Sequence, residues 1–215
     1  MNLYLFSGLG ADKRAFQFLK FPKGLNIIHV DWIEPLEDES IQFYAKRISS
    51  IIDTTKPYSI IGLSFGGMMA IEVAQFLNPQ KLILISSVEN KKEMPFYFKL
   101  TGLLKLNKLM PRNLKIKSNF LINWFFGVKN TQEMKMLSDI IEASNPRFTY
   151  WAINKILNWK MEVTTSKVIR IHGENDKIFP IKNFKPQYLI SNGGHLMVAN
   201  KADEISEILE EVLKF

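Results

Sequence analysis

Residues 58–67 read Tyr-Ser-Ile-Ile-Gly-Leu-Ser-Phe-Gly-Gly and hold a serine, Ser64, between two glycines directly after an apolar run. The run predicts a buried strand, and the helical pattern of residues 68–74 predicts a sharp turn at Ser64. Such a turn strains the serine backbone and brings the residues two positions on either side against other backbone, so glycine is required at Gly62 and Gly66. The segment therefore predicts a serine oxygen exposed at a helix N-terminus.

Outward from this segment, short apolar runs alternate with helical patterns. The candidate strands are residues 3–6, 25–30, 59–63, 81–85, 168–171 and 187–190, and the candidate helices are residues 40–53, 67–76 and 202–213. Nearly unbroken runs of Leu, Ile and Val are typical of strands buried on both faces by crossover helices. We therefore predict an α/β fold with a mostly parallel, doubly wound sheet.

One long stretch interrupts this alternation. Residues 89–165 contain no clear strand, only helical patterns rich in aromatic residues, leucine, methionine and lysine, and they are too many for a loop. We interpret residues 1–88 and 166–215 as one core domain and residues 89–165 as a helical insertion that lies on its sheet. A chain of 215 residues has the usual length for one such domain.

The composition excludes several kinds of chemistry. The chain has no cysteine, which excludes disulfides, a thiolate nucleophile and cysteine-ligated metals. No run approaches the ~18 apolar residues that a membrane helix needs, and the first residues do not resemble a secretory signal. We expect a cytoplasmic protein with no integral membrane segment, no metal and no cofactor.

The net charge of +7 is concentrated in one place. Between Lys91 and Lys117 the sequence has eight lysine or arginine residues against Glu93 alone, and the rest of the chain is neutral. Such a stretch is consistent with a solvated helical face or with an anionic partner. Its lysines are not interleaved as a nucleic-acid recognition motif, so we expect no nucleic-acid partner.

A serine alcohol is a weak nucleophile and needs a base within hydrogen-bond reach. Of the three histidines, His29 lies inside an apolar strand, which favours a structural role. His172 lies at the end of another strand, which favours a supporting role beside the site. His195 follows two glycines in a loop after the last candidate strand, where an imidazole can reach a serine on another strand. We predict that Ser64 is the nucleophile and His195 its general base.

The base needs an acid that fixes its tautomer. Residues 172–176, His-Gly-Glu-Asn-Asp, follow the penultimate candidate strand and contain two carboxylates. We prefer Asp176 for this role, and Glu174 stays open as the alternative.

Two backbone amides are candidates for binding a developing oxyanion. The amide of Phe65 directly follows the serine at the helix N-terminus. Residues 7–10, Ser-Gly-Leu-Gly, follow the first candidate strand, and their glycines let the amide of Leu9 turn inward. An ordinary glycine turn is the alternative interpretation of residues 7–10.

Together these motifs resemble the α/β-hydrolase fold superfamily over essentially the whole chain. The order serine, aspartate, histidine is that superfamily's order. Residues 172–180, His-Gly-Glu-Asn-Asp-Lys-Ile-Phe-Pro, resemble its acid loop with the aspartate at Asp176, and residues 193–196, Gly-Gly-His-Leu, resemble its histidine loop. The resemblance implies a serine esterase-like member in which residues 89–165 form a cap over the active site.

The sequence departs from the superfamily pattern in two places. Its members usually begin with an antiparallel hairpin, whereas here the first strand starts at Leu3, so we expect a sheet that is shortened at its N-terminal edge. Members commonly have His-Gly in the oxyanion loop, whereas this chain has Ser7 and Gly8. The second departure leaves open what braces the loop.

The resemblance implies acyl transfer to water through an acyl-enzyme on Ser64. An apolar cap suits a hydrophobic acyl or alkyl group, and its substrate-contact candidates are Phe96, Trp124, Phe125 and Trp151, although cap aromatics more often form a packing core. We first expect hydrolysis of a small to medium carboxylic ester.

Two alternatives remain. One is a thioesterase or methyl esterase whose acyl group is carried by acyl carrier protein or coenzyme A, held by the stretch from Lys91 to Lys117. The other is a non-catalytic member of the fold that binds a small ligand.

Overall fold

The computed structural model describes residues 1–104, 111, 117–162 and 167–214. In these residues one sheet has six strands in the order β2-β1-β3-β4-β5-β6, and every neighbouring pair is parallel. The strands are β1 (Asn2–Phe6), β2 (Asn26–Val30), β3 (Tyr58–Leu63), β4 (Leu82–Ile85), β5 (Val168–Gly173) and β6 (Tyr188–Ile190). The predicted α/β fold with a parallel sheet is confirmed, and no strand precedes β1 in the described residues.

Helices cover both faces of this sheet. In the described residues they are α1 (Ile41–Ile48), α2 (Phe65–Val73), α3 (Phe96–Leu103), α4 (Phe120–Phe126), α5 (Thr131–Ala143), α6 (Pro146–Leu157), α7 (Met197–Asn200) and α8 (Ala202–Val212). Because side chains alternate along a strand, Tyr4 and Phe6 of β1 pack with α1, α2 and α6, whereas Leu3 and Leu5 pack with α5, α7 and α8. No helix in the described residues is long and apolar enough to cross a membrane.

The segment between β4 and β5 contains α3, α4, α5 and α6 and no strand in its described residues. An ion cluster attaches its beginning to the sheet: Arg170 of β5, only 5% exposed, lies 2.7 Å from Glu89 and 2.6 Å from Glu93. Burial of these charges is tolerated because opposite charges meet. The predicted domain boundary at 165/166 involves residues outside the described ones, and the division into core and insertion stays a prediction.

Glu72 is a buried carboxylate on α2. Its Oε1 accepts hydrogen bonds from Trp159 Nε1 at 2.8 Å and from Gln42 Nε2 at 3.2 Å. Burial raises the pKa of Glu72, and these two hydrogen bonds only partly oppose the shift. A raised pKa means that the stability from this group is present below the ordinary carboxyl pKa and is lost as the pH rises through the raised value.

We therefore expect Glu72→Gln to raise the midpoint of thermal unfolding by a few degrees at about pH 8 and to change it much less at about pH 4. The amide keeps the oxygen that accepts both hydrogen bonds and removes the buried charge. Thermal unfolding at both pH values checks this, with the exposed Glu207→Gln on α8 as the control. An unchanged or lowered midpoint at the higher pH would contradict the interpretation.

Candidate active site

Ser64 lies at the turn between β3 and α2 and has a positive φ of 53°. A residue with a side chain is strained in this backbone conformation, and the surrounding chain must hold the residue in place. The amide of Ser64 donates to the carbonyl of Ile85 on β4 at 2.9 Å. A Cβ atom at Gly66 would overlap the carbonyl oxygens of Phe6 and Ser7, and one at Gly62 would overlap the backbone of Gly67. Neighbouring backbone therefore leaves no room for a side chain at position 62 or 66, which explains why both residues are glycine.

His195 follows β6 and meets Ser64 from a different strand. Its Nε2 lies 2.8 Å from Ser64 Oγ, and its Nδ1 lies 2.8 Å from Asp176 Oδ2. A carboxylate oxygen only accepts hydrogen bonds, so Nδ1 carries the hydrogen and Nε2 is free to accept from the serine hydroxyl. The rings of Phe126 and Phe179 flank the imidazole, which is buried. The imidazole therefore has the tautomer that a general base needs.

Asp176 lies in the loop after β5 with both carboxylate oxygens occupied. Its Oδ1 accepts the amide hydrogens of Ile178 at 2.8 Å and Phe179 at 2.9 Å. Burial alone would raise the pKa of Asp176, but the charge of His195 and hydrogen bonds from His172 and His195 outweigh burial and hold this pKa well below its usual range. The carboxylate is therefore ionised at neutral pH and can orient the imidazole.

A second histidine also contacts this aspartate. His172 Nε2 donates to the carbonyl of Phe179 at 2.8 Å and lies 3.2 Å from Asp176 Oδ2. Both neighbours are acceptors, so this nitrogen carries a hydrogen. His172 thus holds the acid loop from the strand side, in keeping with the supporting role that its place at the end of a predicted strand favours.

The structure separates the other two candidates from this group. Glu174 is exposed, and its carboxylate accepts the amide hydrogen of Asn192 at 3.1 Å. His29 lies on the edge strand β2, with its ring 5.9 Å from that of Phe16. Of the two carboxylates and three histidines considered, Asp176 and His195 are the pair that lies in line with Ser64.

Residues 7–10 lie beside the serine. A Cβ atom at Gly8 would be 3.8 Å from Ser64 Cβ. Ser7 Oγ donates to the carbonyl of Ala11 at 2.6 Å, and the carbonyl of Gly8 accepts from Ala11 N at 3.0 Å and from Trp32 Nε1 at 3.1 Å. These contacts brace the loop where superfamily members commonly have a histidine. Trp32 was not among the residues that the sequence singled out.

The two candidate oxyanion amides belong to Leu9 in this loop and to Phe65, which opens α2. The first amides of a helix have no acceptor within it, so the amide of Phe65 is free for an external one. The dipole of α2 also favours negative charge at this end. Both amides therefore belong to segments that adjoin Ser64.

The four substrate-contact candidates lie in different surroundings. Trp151 is 8% exposed, donates to the carbonyl of Glu39 at 3.0 Å and packs against Tyr44, as a core residue does. Phe96 is 70% exposed on α3. Trp124 and Phe125 on α4 line a cavity of about 640 Å³ that adjoins Asp176 and Gly194. The ammonium group of Lys177 lies 3.8 Å from the centre of the Trp124 ring.

Comparison with known proteins identifies the fold. No family model matches the sequence, and no curated protein matches it. MenH from S. aureus is similar over 97% of this chain and 91% of its own, with a TM-score of 0.74 and 18% identity. An esterase from Exiguobacterium antarcticum is similar over 97% and 90%, with a TM-score of 0.72 and 16% identity.

A lipase-esterase related protein from Clostridium acetobutylicum gives the same result. It is similar over 97% of this chain and 92% of its own, with a TM-score of 0.67 and 17% identity. These solved structures share the α/β-hydrolase fold, and the chain has that fold, as the resemblance implied. At identities this low, the structural similarity establishes the fold alone. The reaction must be argued from the geometry of the site.

Proposed function

We propose that this chain of α/β-hydrolase fold is a serine hydrolase that cleaves a carboxylic ester with a small to medium hydrophobic acyl or alkyl group. The observation that carries the proposal is the unbroken series of hydrogen bonds from Asp176 through His195 to Ser64, with 2.8 Å at both steps. The strained backbone of Ser64 adds support, because strain of this kind persists at functional sites. One structural neighbour is itself called an esterase and another a lipase-esterase related protein.

The geometry supports a two-step reaction. Ser64 Oγ attacks the ester carbonyl while His195 Nε2 takes the hydroxyl proton, and Asp176 stabilises the imidazolium that forms. The amides of Leu9 and Phe65 bind the oxyanion. The imidazolium then gives its proton to the leaving alcohol, which departs and leaves an acyl group on Ser64. Water, deprotonated by the same imidazole, releases the acid and restores the serine.

Residues 89–165 serve in this proposal as the cap. Its helix α4 borders the cavity beside Asp176, and Phe126 of α4 flanks the imidazole of His195. Its helix α6 packs against the core through Phe148. We propose that the segment excludes water from the reacting groups and contacts the acyl or alkyl group. Trp124 and Phe125 line the cavity beside Asp176, but neither Ser64 nor His195 is among the described residues that line it.

The test is a hydrolysis panel of p-nitrophenyl esters of increasing acyl length, run beside acyl-thioesters of the same lengths. The expected result is turnover of the shorter and medium esters that disappears in the Ser64→Ala variant. Hydrolysis that persists at an equal rate in that variant would contradict the proposal. A folded protein that turns over no ester or thioester would favour the non-catalytic alternative.

A second candidate function is hydrolysis of acyl groups attached to acyl carrier protein or coenzyme A. The observation that favours it is the excess of positive charge between Lys91 and Lys117. Within this stretch Lys105, Lys108, Arg112 and Lys115 lie outside the described residues. Of the described lysines, Lys91 is paired with Glu162, whereas Lys92 and Lys99 are exposed near the start of α3.

If these charges hold an acidic carrier, turnover of a carrier-bound acyl group should fall about tenfold or more between about 50 and about 300 mM salt, because salt screens exposed charges. Turnover of a small neutral ester should stay within about twofold over the same range. Steady-state kinetics with both substrates check this, and Lys92→Glu combined with Lys99→Glu should weaken only the carrier-bound reaction. An equal salt response of the two substrates would remove this candidate.

A further inference from the structure

Trp32 follows the edge strand β2 and reaches across to the loop after β1. Its indole Nε1 donates to the carbonyl of Gly8 at 3.1 Å, and the amide of Ala11 donates to the same carbonyl at 3.0 Å. Two donors from different parts of the chain therefore fix this one carbonyl. The indole N–H is the donor that lies outside the loop itself.

The carbonyl of Gly8 and the amide of Leu9 belong to one peptide unit. The described residues contain no cis peptide bond, and in a trans unit the C=O and N–H bonds point in opposite directions. Holding the carbonyl towards Trp32 therefore aims the amide of Leu9 towards the other side of the loop. Gly8 itself adjoins Ser64, since a Cβ atom on it would lie 3.8 Å from Ser64 Cβ.

The Trp32 ring also contacts two other parts of the site. It lies 5.4 Å from the ring of Phe65, the residue after the serine, and stacks at 5.0 Å and 28° on Phe148 of α6. Gly10 of the same loop is close to the α5–α6 junction, because a Cβ atom there would approach Ser144. One half-buried indole thus connects the loop, the serine turn and the helical segment between β4 and β5.

We infer that Trp32 is a positioning residue, which holds the peptide between Gly8 and Leu9 so that the amide of Leu9 can donate to the oxyanion. The stack on Phe148 keeps the indole in place. The direction of the Leu9 N–H bond therefore depends on the position of α6. The inference rests on the proposed serine hydrolase function and adds to it a residue that does not touch the substrate.

The test is Trp32→Phe, which removes the indole N–H and keeps an aromatic ring. Loss of a whole oxyanion donor costs about 10²–10³ in kcat, so a misaimed donor should lower kcat by about tenfold or more. The KM should stay within about twofold, because the substrate ground state does not use the oxyanion contact. Affinity for an alkylboronic acid, which forms a tetrahedral adduct on serine, should fall by a factor similar to that for kcat.

Trp159→Phe is the matched control. Trp159 is buried in the same core cluster, and its indole donates to Glu72 at 2.8 Å rather than to the loop. This variant loses a buried hydrogen bond, so it should lower the thermal midpoint while kcat stays within about twofold. A loss of kcat that merely followed stability would therefore appear in the control as well.

A second replacement guards against misfolding of Trp32→Phe. β-(3-Benzothienyl)alanine at position 32 has the size of tryptophan and a sulfur in place of the N–H, so it deletes only the donor. It should reproduce the loss of kcat with an unchanged thermal midpoint. A kcat within twofold of wild type in this variant overturns the inference.

The same assays separate this inference from the function on which it rests. Ester turnover that depends on Ser64, together with normal kcat in both Trp32 replacements, leaves the serine hydrolase standing and rejects the role of Trp32. Absence of turnover that depends on Ser64 in the wild type rejects both.

Discussion

Replacing Ser64 with alanine is expected to lower kcat for ester hydrolysis by about 10⁶, the scale measured when a serine protease loses its nucleophile. The methyl group cannot form the acyl-enzyme, and what remains is catalysis by bound water. The fold should persist, since alanine is smaller and Ser64 is held by its backbone amide through the bond to Ile85. Steady-state kinetics and thermal unfolding of the variant measure the two effects separately.

The double variant Ser64→Ala with His195→Ala sharpens this prediction. Residues that act as one unit show strongly non-additive losses, so the second change should add little to the first. Ser191→Ala, on an exposed serine in the loop before His195, is the matched control and should keep kcat within about twofold. More than about 1% of wild-type kcat in purified Ser64→Ala would remove Ser64 from the mechanism.

Asp176→Asn should lower kcat by about 10⁴, the loss known for the corresponding change in a serine protease. The amide hydrogens of Ile178 and Phe179 occupy the Oδ1 position, so the asparagine oxygen must take that position. Its NH₂ group then faces His195 Nδ1, where the native carboxylate accepts at 2.8 Å. A donor there forces the hydrogen onto Nε2, and the imidazole can no longer accept the serine proton.

Glu174→Gln is the control for this variant, because it changes the other carboxylate of the same loop. Its exposed side chain accepts the amide hydrogen of Asn192 in the His195 loop and does not contact the imidazole, so kcat should stay within about twofold. Kinetics of both variants at several pH values check the prediction. Large loss in Glu174→Gln with little loss in Asp176→Asn would reverse the assignment of the acid.

Much of the sheet could be predicted from the sequence because the strands are short apolar runs and the four inner ones, β1, β3, β4 and β5, are almost wholly buried. The six predicted strands agree with β1 to β6 to within two residues at either end. Helix ends were harder. The first helix ends at Ile48 and not at residue 53. Directly after Ile48, the hydroxyls of Ser49 and Ser50 donate to the carbonyls of Lys46 and Arg47, and a short 3-10 turn replaces the α-helix.

For the candidate site, the types of residue and their positions after strands were enough to select Ser64 and His195 and to prefer Asp176. Only the coordinates separate Asp176 from Glu174, because both carboxylates occupy the same loop. Trp32 could not be found from sequence: its partner, the carbonyl of Gly8, is a backbone group with no signature of its own. The contact exists because β2 lies next to β1 at the edge of the sheet.

The measurement that tests the central claim most directly is covalent labelling with a fluorophosphonate, followed by intact mass and peptide mapping. The account predicts one adduct per chain on the peptide that contains Ser64, no adduct in Ser64→Ala and much slower labelling in His195→Ala, because the probe reacts with an activated serine. A folded wild-type protein that takes up no label, or one whose label stays in Ser64→Ala, would contradict it.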